Sequence, residues 1–163
     1  MTSDTTPISV LAGLSHLEGQ TIKVLADGDA RELTVTGGQV TLWKEATVVH
    51  GGLGYEGSIR ILPAGGTVPT GQVEGVMKRW VEVTLHFHRS RGGLIRLLSL
   101  QSAPIRMQGL DHPMDTPPPL FTGPYQLTPP PQWNRHGQIE IVQDQPYPMR
   151  LLAVSGRLSW SLR

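Results

Sequence analysis

Cysteine is absent from the 163 residues. Disulfide frameworks, zinc sites built on thiolates and thiol catalysis are therefore excluded, while the redox compartment stays open. Charge is scarce as well. Asp, Glu, Lys and Arg make up 17% of the chain, and the formal net charge is +1. A strongly basic nucleic-acid binder carries a larger excess. A surface poor in charge suits a subunit that buries area against neighbours. No apolar run approaches the roughly 20 residues of a membrane-spanning helix. The first residues, Met1-Thr2-Ser3-Asp4-Thr5-Thr6-Pro7, have neither a basic region nor a following apolar core, so export by a signal peptide is not expected. Helical periodicity is almost missing too. The one weak helix candidate, residues 71–78, contains two glycines and two valines, which oppose it.

What the chain does have is turn chemistry and alternation. Nineteen glycines and 14 prolines cut it into short pieces. Thr21 to Leu25 reads as a strand ending at the turn pair Asp27-Gly28, with Arg31 to Thr36 returning and Gly37-Gly38 turning again into Gln39 to Trp43. Such dipeptides supply the positive φ that two-residue hairpins need. Ala46 to His50 and Ser58 to Leu62 are two further expected strands. The longest is Arg79 to Arg89, with Val81, Val83, Leu85 and Phe87 on one face and Trp80, Glu82, Thr84, His86 and His88 on the other. Ser90-Arg91-Gly92-Gly93 is read as a hairpin turn into Leu94 to Leu100. Ile105 to Gln108 reads as a short strand, and Leu120 to Leu127 as an edge strand between two proline runs. Gln138 to Val142 and Met149 to Val154 flank a stiff Gln145-Pro146-Tyr147-Pro148 corner. Arg157 to Leu162 closes the chain. The expected fold is all-β, an antiparallel sandwich or barrel with almost no helix. Residues 1–13 form an extended arm and 14–163 a single β domain, with a proline-rich loop segment at about 109–132.

Candidate chemistry is thin. His86 and His88 share a strand face, a spacing that metal sites use, with Asp111, His112 and Asp115 the nearest third ligands in sequence. Two ligands without a motif are a weak signal, so no metal or other cofactor is expected and a metal-dependent enzyme is the third-ranked reading. No Gly-x-Ser-x-Gly nucleophile elbow occurs. Gly51-Gly52-Leu53-Gly54 lacks the Lys-Ser or Lys-Thr of a phosphate loop and lies between strands, so it reads as a turn. Five cations, Lys78, Arg79, Arg89, Arg91 and Arg96, stand against Glu82 alone, a local excess of +4. They are the candidate surface for DNA or another polyanion, weighed against an ordinary solvated hairpin. Trp43, Trp80, Trp133 and Trp160 are candidate stacking surfaces for a glycan, or else core and interface residues.

Taken in order, these pieces resemble one family. Leu14 to Gly28, Val35 to Leu42, Val48 to Tyr55, Leu62-Pro63, Lys78 to Leu85, Ser90 to Gly93, Leu120 to Gly123 and the closing run through Val154 are similar to a domain of tail tubular protein B, the nozzle protein of short-tailed bacteriophages. The family's usual Gly-Leu-Pro-Tyr reads Gly52-Leu53-Gly54-Tyr55 here. Nozzle proteins of the family are generally much longer, so the chain is expected to be either a small stand-alone tail protein or an excised domain. The resemblance implies a structural, non-catalytic virion component made in the host bacterial cytoplasm. Its implied partners are other tail or head–tail proteins and further copies of itself, in a ring that the resemblance implies is sixfold, around or beside the DNA exit channel. The alternative expectation is a β-domain binding module that decorates capsid or tail and contacts capsid or host glycan.

Overall fold

The computed structural model describes residues 6–65, 67–68, 71–72, 75–97, 102–107 and 119–161. Strands account for nearly all its regular structure, and every strand pairing is antiparallel. Among the described residues the only helical element is a single 3-10 turn at Ser15–Leu17. The chain is thus all-β. Where the sequence points to one β domain over 14–163, the contacts divide the chain into two compact units.

The first unit holds the described residues up to Glu56, Pro119 and Asp144–Tyr147. Strand β1 (Ile8–Ala12) pairs with β4 (Gln39–Ala46), while β2 (Thr21–Ala26) lies between β3 (Asp29–Thr34) and β5 (Val49–Gly52). β1 falls within the expected arm, where it is extended and paired. The Asp27-Gly28 turn has positive φ at both residues, 46° and 81°, the requirement of the tight hairpin that matches strand twist. Gly37 and Gly38, at 62° and 72°, make the next turn. Expected strand Ala46 to His50 is interrupted. Ala46 ends β4, and β5 begins at Val49. Ile22, Val24 and Ala26 alternate inward from β2 and meet Val40, Leu42 and Ala46 of β4, with Leu14 and Val35 closing the cluster. Burying each large aliphatic side chain contributes about 1.5–3 kcal/mol.

The second unit holds the described residues of Gly57–Met107, Leu120–Gln143 and those from Pro148 onward. One sheet runs β11 (Ser102–Pro104), β10 (Leu94–Leu97), β13 (Ile139–Gln143), β6 (Gly57–Arg60). The other places β9 (Met77–Ser90) between β12 (Phe121–Leu127) and β14 (Leu151–Ser161). Val83, Leu85 and Phe87 of β9 share one core with Ile95 and Leu97 of β10, Ile139 and Ile141 of β13, and Ile105. Two sheets facing one apolar layer form a small sandwich. β7 (Thr67–Val68) and β8 (Gly71–Gln72) pair separately, so the segment weighed as a weak helix starts as a strand.

Three expectations change here. β9 and β10 belong to different sheets, so Ser90–Gly93 is a corner between layers and not a hairpin turn. Arg89, Gly92 and Gly93 take φ of 45°, 69° and 102° to make it. The short strand is Ser102–Pro104. Ile105 instead turns inward, 3% exposed, and donates its N–H to the Gly93 carbonyl. Finally, β14 is one strand that continues through Gly156, where the sequence shows two separate runs. A side chain at 156 would put its Cβ 2.3 Å from the Glu82 carbonyl oxygen. The glycine therefore serves close strand approach.

Candidate functional site

β9 carries most of the residues singled out by chemistry. Its alternation holds from Val83 to His88, then breaks. Arg157 pairs with Glu82 and Leu158 with Trp80, which leaves Val81 as an extra residue in β9. Such a bulge switches the faces of every residue beyond it. Trp80, expected beside Glu82 and His86, is carried to the core side and packs against the Val83–Leu85–Phe87 cluster. Its indole N–H donates to the Gly137 carbonyl at 2.8 Å.

The same switch takes Lys78 inside. It is 3% exposed and donates its ammonium to the Arg135 carbonyl at 3.1 Å. Its backbone bonds Asn134 in both directions. Lys78 therefore presents no charge to an outside polyanion. Arg79 points to the other side, where its guanidinium lies 5.2 Å over the Trp133 ring. Arg96 of β10 sits opposite Glu140 of β13, Nη1 to Oε2 3.5 Å, and Arg60 reaches the other carboxylate oxygen at 3.4 Å. Arg89 is exposed at the corner, with its backbone N–H held by Thr122 Oγ1 at 2.9 Å. Arg91 donates its backbone N–H to the Pro148 carbonyl at 3.0 Å. The five cations are thus spread over two sheets and a corner, with one of them buried.

His86 and His88 lie on the outer face of the β12–β9–β14 sheet, both partly exposed. Pro124 and Ala153 flank His86 across the sheet. Among the described residues no three His, Asp or Glu side chains gather as a metal site. Asp111, His112 and Asp115 lie outside the described residues. Ser90, two residues beyond His88, is fully buried. Its hydroxyl accepts the Arg150 N–H at 2.8 Å and donates to the His88 carbonyl at 3.0 Å, so it ties β9 to the start of β14.

The tryptophans divide. Trp43 is half-buried, bonded to Asp29 at 3.0 Å and covered by Arg31 at 4.8 Å. Trp133 and Trp160 are 39% and 43% exposed. Trp160 pairs with Lys78 on the core-side face, and Trp133 stacks on Arg79 on the opposite face. They do not form one platform.

The proline corner belongs to the first unit. The chain leaves β13 after Gln143, contributes Asp144–Tyr147 to the first unit, and rejoins the second at Pro148. Two bonds help to fix the corner there. Lys23 Nζ donates to the Asp144 carbonyl, and the Tyr147 hydroxyl accepts the Ala30 N–H at 3.2 Å. The Lys23 stem also explains Gly54, because a Cβ at 54 would lie 2.6 Å from Lys23 Cε. Sequence alone does not expose these partners.

Two carboxylates act as backbone clamps. Glu18 accepts the N–H groups of Gly37 and Gly38 at 2.9 and 2.7 Å. Asp27 accepts those of Thr47 and Val48 at 3.0 and 2.7 Å, which holds its carboxyl below the ordinary value. Both stabilise turns.

No family model matches the chain, and no curated protein matches it. Among the described residues no helix is long and apolar enough to cross a membrane.

Proposed function

We propose that this chain is a structural component of a bacteriophage virion, a tail-nozzle or tail-associated ring subunit assembled around or beside the DNA exit channel. Its work is assembly and conduit formation without catalysis. The observation that carries the reading is the ordered resemblance from Leu14 to Val154, which ends in a corner that the fold uses as a fastening. A shaped Pro-Tyr-Pro segment locked by Lys23 and Tyr147 suits a part that must hold its form under load. Exposed apolar side chains suit contact with further subunits. Tyr55 and Leu62 are 85% and 84% exposed, and Leu152 is 69% exposed. A near-neutral chain also suits a conduit wall, since strong phosphate binding would retard passing DNA.

Purified particles test it. Mass spectrometry of virions should find the chain at a fixed copy number, and particle imaging should place it in a closed ring at the tail. A protein absent from virions and strictly monomeric would end the proposal. The alternative, a decorating module that contacts capsid or host glycan, draws on exposed Trp133 and Trp160. Saturable binding of the isolated chain on a glycan array would favour it.

A further inference from the structure

The β12–β9–β14 sheet has two edges, and they differ. β12 is a guarded edge. It carries Pro124, a glycine at φ 136° and a break in register between Phe121 and Gly123, the devices by which natural edges resist pairing. β14 has none of these along most of its length. Leu151–Ser161 contains no proline and no lysine, and its one charge, Arg157, already faces Glu82 at 3.9 Å. Its bulge falls at Leu152, at the start, and the second irregularity loops out Val81 of β9. Ala153–Ser161 is therefore an unbroken edge, and among the described residues no strand pairs with its outer side.

We propose that β14 is a self-pairing edge. Two copies of the chain join β14 to β14 antiparallel, about a two-fold axis through Gly156, and make one six-stranded sheet. A head-to-tail contact through this sheet needs two different open edges, and β12 is closed. One open edge can be satisfied by its own copy through a two-fold. The sequence of the strand fits that operator. With Gly156 on the axis, Val154 lies opposite Leu158 of the second copy on the core-side face. On the outer face Arg157 lies opposite Ser155, and Ala153 opposite Ser159. Centring on Arg157 would set that charge against itself. Centring on Val154 or Leu158 would set a large apolar side chain against Gly156. This register pairs Ala153 through Ser159 of each copy, which lie beyond the bulge at Leu152.

The pairing goes beyond the tail reading and is tested apart from it, on the isolated full-length chain. Light scattering on a sizing column at tens of micromolar should give about twice 17.8 kDa. The absence of native cysteine permits a direct register test. Ala153→Cys with Ser159→Cys should give a covalent dimer with a short bis-maleimide, since the two positions face each other between copies. Each single variant should not, because like positions then stand about 20 Å apart. Ser155→Lys places a lysine opposite Arg157 twice per dimer and should raise the dissociation constant about fivefold, while Ser155→Glu should lower it. Circular dichroism checks that both variants stay folded. A monomeric wild-type chain overturns the proposal. So does a dimer that the double-cysteine pair fails to cross-link, or one indifferent to the sign of residue 155, because its contact then lies elsewhere.

Discussion

The indole N–H of Trp80 meets the carbonyl of Gly137 at 2.8 Å because Val81 bulges out of β9. Without that extra residue, alternation would turn Trp80 to the outer face beside Glu82. The bulge thus spends one unpaired residue and gains a large half-buried ring with its polar tip satisfied. Lys78 goes inward by the same switch, and its ammonium finds the Arg135 carbonyl two residues before Gly137. One irregularity sets both contacts with the 134–137 segment.

Trp80→Phe removes the indole N–H and leaves a smaller ring in the site, so the Gly137 carbonyl loses its donor. The expected loss, bond and trimmed packing together, is about 1–2 kcal/mol in urea unfolding. Trp80→Ala also opens space against the core of the second unit, and should cost about 3 kcal/mol. Equal stability of Trp80→Phe and the parent chain would show that water replaces the indole at no cost.

Asp27 predicts a pH dependence whose sign is fixed. The N–H groups of Thr47 and Val48 hold its folded pKa below the ordinary 3.8. A lowered folded pKa contributes stability that is present above the unfolded value and fades as pH falls through the folded one. Asp27→Asn removes the charge while keeping a residue type that tolerates φ of 46°. The variant should therefore be less stable than the parent at pH 7, and the gap should shrink below pH 3.8. Thermal unfolding across that range measures it. A gap independent of pH would mean that the carboxylate charge contributes nothing. The carboxylate is largely exposed, so salt should narrow the gap as well.

Turn chemistry made three strands of the first unit readable in advance. Asp27-Gly28 and Gly37-Gly38 fix two consecutive reversals, and strands β2, β3 and β4 follow from them. β9 was readable for the same local reason, a long alternating run. What escaped is what local pattern cannot encode. A bulge at Val81 leaves no mark in the sequence, because valine is an ordinary strand residue; hence the misplaced faces of Trp80 and Lys78. Gly156 reads as a break, yet it lies within β14 where Glu82 comes too close for a side chain. The Ser90–Gly93 corner has the composition of a hairpin turn, and only the partners of β10 show that it changes sheets. The basic cluster suffered most, since a local charge excess ignores which side chains the fold consumes.

The corner at Asp144–Tyr147 gives the last prediction. Two of its fastenings are the Tyr147 hydroxyl on the Ala30 N–H and Lys23 on the Asp144 carbonyl. Prolines 146 and 148 limit the corner's own freedom, so a single lost bond should loosen its attachment without melting the unit. Tyr147→Phe keeps the ring and removes the acceptor. Ala30 lies in β3 opposite Leu25, and its N–H then has only water to bond. Its amide exchange should accelerate about fivefold, the equivalent of roughly 1 kcal/mol, while Ile22 and Val24 in the core of the same unit stay protected. Lys23→Met tests the second fastening in the same way and retains the stem that lies against Gly54. The double variant separates two meanings of the corner. If the bonds act together, Tyr147→Phe and Lys23→Met lose less in combination than the sum of their separate losses, because the first break has already released the segment. Strict additivity, or unchanged exchange at Ala30, would reduce the proline corner to a passive connection.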